Sequence, residues 1–303
     1  MVAVLVLLSM MTFSLTRMLP GDPAQMLLSE NATPAEIAAL RQTLGLDRPM
    51  ALQYIDWAAS ALRGDLGTSL RIKQPVSRVL ADRLKPTIQL TVLGMLVAVG
   101  LGVPAGLMAA SRPNSLIDTG ATLLAIVGIA VPPFWLGILL ILLFSVWLGV
   151  LPSGGYLDPF VHPAESLRRM ILPALSLGSA LAGLIARQAR SCLLDVLQED
   201  YIRTARSKGV SEGGVLLRHA LRNGFIPVIT VIGMQTGVLV GGAVITETIF
   251  DIPGVGRLAV EAVATRDYPV LQGVVLVMSV AVLLSYLAVD FLYAKLDPRI
   301  QYG

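Results

Sequence analysis

The chain has 303 residues, 55% of them hydrophobic and 14% charged, with a mean hydropathy of +0.74. Soluble domains carry about 25% charged residues, so this composition belongs in a membrane: at about 20 residues per crossing it allows six or seven spans and no large enzyme domain. A net charge of +3 from 23 Lys and Arg against 20 Asp and Glu is too small and too dispersed for a nucleic-acid partner, the single Cys192 excludes an internal disulfide, and two distant histidines, His162 and His219, form no zinc site.

The first apolar stretch, Met1 to about Leu19, predicts a membrane helix (residues 1–19). No basic leader precedes it, and the native chain is expected to begin upstream of Met1. Residues 20–85 are polar and predict a small external helical cap. Within it, Thr33, Pro34, Ala35 and Glu36 form a capping box with proline at the first helical position, starting a helix that runs to about Leu44. A second helix is expected over Pro49–Leu62, with Ile55, Ala58, Ala59 and Leu62 on one face, and Gly64–Gly67 reads as a turn. The acids of this segment, such as Asp56 and Asp65, read as solvated or capping groups.

Five further spans make up a membrane core over 86–294: Pro86–Ala110, Ile117–Leu148, Ile171–Cys192, Phe225–Ile249 and Leu271–Ala294. Pro132 and Pro133 lie inside the long third span of the chain and predict a kink or break there. Between the fourth and fifth spans, residues 193–224 form a charged loop. Helical patterning up to Lys208, a stop at Gly209 and a second helical run over Glu212–Asn223 predict a helix, a sharp turn and a return helix. Residues 295–303 are a tail.

Basic residues set the expected orientation. Arg187 to Arg222 holds seven of them, whereas the loops at 150–170 and 250–270 hold two each. The dense segment is therefore expected in the cytoplasm, with both termini, and the cap outside. The cap's own eight basic residues do not reverse this, because loops longer than about 60 residues escape the rule.

The stretch DYIRTARSKGVSEGGVLLRHALRNGFIPVIT (Asp200 to Thr230) resembles the cytoplasmic coupling loop of permeases from bacterial ATP-binding-cassette importers of the dipeptide, oligopeptide and nickel group. LPGDPA (19–24), LGLDRP (44–49), GDLGTSL (64–70), PPFWLG (132–137), LPSGG (151–155), GGAVITETIFDIPGVGRL (241–258), RDYPVLQG (266–273) and DFLYAKLDPRI (290–300) follow in family order. Aligned on Gly209, the EAA positions of the general motif are Arg203, Thr204 and Ala205, and its IxLP positions are His219, Ala220, Leu221 and Arg222, a variant usual in the peptide group.

The resemblance implies an all-α integral membrane fold with six transmembrane helices of the type I importer permease kind and a small external helical segment between helices 1 and 2. It implies a second homologous permease, two cassette ATPase subunits, an extracytoplasmic substrate-binding protein and alternating access in the inner membrane, with ATP and magnesium bound by the partners and no cofactor or metal in this chain. The chain's own lack of a GxxxxGK(S/T) cradle agrees with nucleotide sites lying elsewhere. LPSGG is no cassette signature, because Pro152 interrupts it.

Tyr201, Arg203, Thr204, Ala205, Arg206, Lys208 and Gly209 are the candidate ATPase-coupling residues. A short helix bonded at both ends to spans is a rigid lever. Gly209 suits the positive torsion and close approach of its turn, and Ala205 is small enough to settle into a partner's cleft. Arg203, Arg206 and Lys208 can pair with acids, and Tyr201 is a flat apolar anchor. Gly233, Gly237 and Gly241 form a smooth ridge on the fifth span, for helix packing or for the pathway. Gln235 and Thr236, with Ser176, Ser179 and Gln188, either wall the pathway or bond to neighbouring groups. Glu247–Arg266, with its IPGVGR, reads as an external gating loop or a re-entrant turn.

Intramembrane charge is expected only at Asp290, paired with Lys295 or Arg187. The alternative, a gradient-driven secondary transporter, calls for several buried charges and an inverted repeat. No nucleophile and base are arranged for a membrane hydrolase. Dipeptides, oligopeptides, glutathione, nickel chelates and opines all remain open as solutes, as does a homodimeric or heterodimeric permease pair.

Overall fold

The computed structural model describes residues 2–18, 33–43 and 45–296. In chain order the helices are α1 (Val2–Met18), α2 (Pro34–Thr43), α3 (Met50–Leu62), α4 (Val76–Ser111), α5 (Leu116–Ala130), α6 (Pro133–Leu140, continued by a π-helix over Ile141–Trp147), α7 (Pro163–Leu197) and α8 (Asp200–Ser207). A return segment follows, built from Glu212–Gly214, a π-helical Val215–Ala220 and Leu221–Gly224, and then α9 (Ile226–Ile249), α10 (Val255–Ala264) and α11 (Tyr268–Leu296). The 19–24 string and residues 297–303 lie outside the described residues.

Among the described residues, α4, α7, α9 and α11 each contain a stretch long and apolar enough to cross a membrane. Helices α5 and α6 are a broken pair bent by 102°, at the two prolines that predicted it. Pro132 is extended, and Pro133 restarts the helix at its first position, where a missing N–H costs nothing. With the shorter apolar helix α1, these are the six apolar segments expected from the sequence.

The boundaries differ in three places. Helix α4 starts at Val76, ahead of Pro86, which lies inside it together with Pro104. Helix α7 starts at Pro163 rather than Ile171, and its polar first turns carry Glu165 paired with Arg168 and Arg169, each at 3.5 Å. The stretch read as a loop or re-entrant turn contains α10, whose start after Gly254 is hidden by two glycines around Val255.

The chain divides into two compact units. One comprises Met1–Lys85 and Pro253–Ala281. Its core joins Val76, Val79 and Leu80, at helical spacing on α4, to Val255, Leu258, Ala262, Val270 and Val274. Phe13 packs on Tyr54 and Trp57 with ring centroids 5.7 and 5.8 Å away. The buried Asp267 carboxylate accepts from Ser69 Oγ at 2.5 Å and from the Leu70 and Arg71 amides at 3.2 and 3.3 Å. The Thr33–Glu36 capping box forms as the sequence predicts, with Glu36 accepting from the Thr33 amide at 2.7 Å.

The other unit comprises Pro86–Ile252 and Val282–Gly303, and α7 is its axis. In its most apolar window 67% of α7 is buried, against 28% in α4 and in α9, so neighbours surround it. Glycines set those approaches: a Cβ on Gly102 or Gly106 of α4 would lie 2.6 Å from the Ala182 or Ala186 carbonyl oxygen of α7. Leu90, Met170, Leu172, Leu177 and Ile185 fill the core between them. LPSGG docks at the end of α9, where the Gly155 amide donates to the Phe250 carbonyl at 2.7 Å. A Cβ on Gly154 would lie 2.0 Å from that same oxygen.

Candidate functional site

Helix α8 is two turns long and amphipathic. Ile202 and Ala205, three residues apart, are buried in a cluster with Ala110, Leu193, Val215 and Ala220. The intervening positions turn Tyr201, Arg203, Thr204, Arg206 and Lys208 outward, Tyr201 being 40% exposed. The Thr204 hydroxyl donates to the Asp200 carbonyl at 3.0 Å and Arg203 pairs with Asp200 at 3.2 Å, both along the helix.

The helix ends in a Schellman turn. The Gly209 amide donates to the Arg206 carbonyl at 2.9 Å and the Val210 amide to the Ala205 carbonyl at 3.3 Å, the paired bonds that satisfy the last carbonyls of a helix. Gly209 has φ +79°, the left-handed conformation this motif requires and glycine adopts freely. Val210 packs on the cluster that holds Ala205, supplying the apolar contact of the motif. The return segment begins at once, with Ser211 Oγ accepting from the Gly214 amide at 3.3 Å. The Arg206 guanidinium forks onto Glu212 at 2.8 and 3.1 Å. That fork holds the Glu212 carboxyl below its ordinary range and raises the guanidinium.

Three expectations for the lever change. Ala205 faces the chain's own core, so its small size serves intramolecular packing instead of a partner's cleft. A Cβ on Gly209 would meet nothing within 4 Å, so torsion alone demands glycine there, with no close approach. Arg206 is held by Glu212, a partner the sequence reading did not name. Tyr201, Arg203, Thr204 and Lys208 form the outward surface of α8.

The ridge on α9 divides. A Cβ on Gly233 would lie 2.3 Å from Val289 Cγ2, and one on Gly237 3.2 Å from Val282 Cγ1, so both receive α11. Gly241 meets nothing. Gln235 lines a cavity of about 240 Å³ with Ile129, Pro133, Leu181, Leu184 and Val238. The other polar candidates bond to neighbours. Thr236 donates to the Ile232 carbonyl at 3.1 Å, Ser176 to the Pro133 carbonyl at 2.6 Å, Ser179 to the Ser176 carbonyl at 3.0 Å, and Gln188 to Cys192 Sγ at 3.2 Å.

Buried charge is not confined to Asp290, whose side chain lies outside the described residues with that of Lys295. Arg190 of α7 forks onto the buried Asp118 of α5, at 2.5 and 2.8 Å. Glu247 near the end of α9 is fully buried and accepts from Thr87 Oγ1 at 2.6 Å. An argument against a secondary transporter from missing buried charge therefore does not stand. Arg187 is exposed.

A profile of the family described as binding-protein-dependent transport system inner membrane component matches residues 102–302, and the profile of that component's N-terminal region matches residues 1–91. A putative peptide transport system permease protein of Brucella abortus (strain 2308) is 43% identical over 301 residues, covering 99% of this chain and 96% of that protein. A glutathione transport system permease protein of Salmonella typhi is 44% identical over 302 residues (100% and 96%), and a dipeptide transport system permease protein of Alkalihalophilus pseudofirmus 41% identical over 322 residues (100% and 97%). Among solved structures, inward-facing conformations of the MetNI methionine ABC transporter match with a TM-score of 0.60 at 17% identity, covering 72% of this chain and 96% of that one. At that identity the likeness concerns the fold alone.

Proposed function

The chain belongs to the family of binding-protein-dependent transport system inner membrane components, and from that membership we propose that it forms half of the translocation pathway of an ATP-driven importer for peptides or a related small solute. Membership in this family also sets aside the gradient-driven transporter. The solute is delivered by an extracytoplasmic binding protein, and a second homologous permease supplies the other half of the pathway. Two cassette ATPases bind ATP and magnesium. The charged loop faces them in the cytoplasm with both termini, as the basic residues between Arg187 and Arg222 support.

The observation that carries the coupling mechanism is α8 with its Schellman turn. Its inner face is rooted beside α7 and the return segment by Ile202 and Ala205, so a push on its outer face moves the end of a span instead of bending a loop. Tyr201, Arg203, Thr204 and Lys208 offer an aromatic surface and two cations for docking. Closure of the ATPase pair displaces α8, the pathway opens outward to the loaded binding protein, and hydrolysis resets it.

The test is to tag the chain in its native membrane, solubilise it gently and identify by mass spectrometry what accompanies it. Recovery of a second permease with cassette ATPases is the expected result. Recovery of the chain alone, with uptake that follows an ion gradient and ignores ATP, overturns the proposal.

A further inference from the structure

Helices α4, α5 and α7 enclose a cavity of about 300 Å³ that the transport mechanism above does not use. Its wall is apolar and built of small residues, among them Ala105, Ala109, Ala121, Ala125 and Ile129. Polar groups lie at one end only: Thr122, Arg187, Arg190 and Ser191. That end lies towards the C-terminus of α7 and the N-terminus of α5, where the spans leave the membrane. From Ala121 to Ile129 the wall extends about 12 Å along α5, eight residues at about 1.5 Å each.

The two arginines differ in their partners. Arg190 is forked onto Asp118, whose other contacts are the Asn114 amide at 2.9 Å and Thr122 Oγ1 at 3.4 Å. That pair is neutral and rigid. Arg187, one turn deeper, is exposed and makes no ion pair among the described residues. The cavity therefore carries one uncompensated positive charge at the membrane boundary and an uncharged slot running inward.

We propose that this cavity binds an anionic phospholipid, with the phosphate on Arg187 and Ser191 and one acyl chain in the alanine-lined slot. Basic pockets between membrane helices suit anionic headgroups, and a long arginine side chain can reach the headgroup level from within a span. A hydrated solute in transit needs polar groups along its whole path. Here they stop at the mouth, which matches a molecule with a charged head and an apolar tail. The occupied site would join α5 to α4 and α7 beside the root of α8.

The experiment uses the assembled transporter in phosphatidylcholine nanodiscs containing a minor fraction of photoactivatable phosphatidylglycerol, with cross-linked peptides mapped by mass spectrometry. Labelling should concentrate on Ala121–Ile129 and exceed that by photoactivatable phosphatidylcholine about fivefold, the weight of one basic residue near an anionic surface. Arg187→Gln should abolish the excess while Arg187→Lys keeps it, and Ala121→Phe, which leaves the charge but fills the slot, should abolish labelling. Equal labelling by the two lipids in the wild-type complex overturns the proposal, as does unchanged labelling in Ala121→Phe. A photoreactive group at Thr122 that captures another chain of the transporter, and no lipid, also overturns it, because the slot is then a subunit interface.

Discussion

Replacing Gly209 separates the torsion of the α8 turn from its packing. Its φ of +79° lies where an L-residue with a Cβ pays about 1–2 kcal/mol, and no atom lies within 4 Å of the Cβ position, so no overpacking adds to this. Three substitutions therefore rank by backbone preference alone. Asn, which visits the left-handed region, should stay within about twofold of wild type. Ala should lose a factor of about 5–30 in the population of the Schellman turn. Val, β-branched, should lose more. The assay is solute taken up per ATP hydrolysed in proteoliposomes holding the whole transporter. Uptake should fall in the order Asn, Ala, Val while ATP hydrolysis persists. If Val transports as well as Asn, the turn is no lever. If Asn fails as badly as Val, something other than torsion demands glycine there.

The ridge on α9 makes a contrasting pair: Gly233→Ala should destabilise by about 1–3 kcal/mol through its clash with Val289, whereas Gly241→Ala should leave the thermal midpoint of the purified complex unchanged. Equal midpoints for the two variants would refute the packing described for α11. Asp118→Asn strands Arg190 and should cost about 3 kcal/mol, while Asp118→Leu combined with Arg190→Leu should cost less, a difference that thermal unfolding of the purified complex measures. Glu212 has a lowered pKa in the folded state, so the Arg206 fork contributes fully above the ordinary carboxylate range and is lost as pH falls through the lowered value. Spin labels on α8 and the return segment should therefore show a wider distance distribution at about pH 3 than at neutral pH, and Glu212→Gln should show the wide distribution at both.

The spans, the break at Pro132, the capping box at Thr33 and the helix stop at Gly209 were all legible because each is a local signal. Apolar length, a missing N–H and a glycine after a basic turn all act within a few residues. What escaped depends on distant neighbours. Nothing near Asp118 announces Arg190, 72 positions away, and nothing near Glu247 announces Thr87. Ala205 could not be oriented from its size, since a small residue suits an inner face and a docking face equally. The apolar pair Ile202 and Ala205, read as one stripe, would have assigned it inward. Helix α10 was missed because glycine at its start carries a turn signal as strong as its apolar spacing.

The π-helical stretch Val215–Ala220 bears on what insertions and deletions the chain can absorb. A π-turn carries a surplus residue relative to an α-helix, so the return segment holds slack between α8 and α9. Removing one residue could restore an α-helical register, but it would also rotate all that follows by about 100°. The Gly233 face of α9 would then turn away from Val289, and bulkier residues would meet α11. The number of residues between α8 and α9 is thus as much a part of the phasing of these helices as their identity.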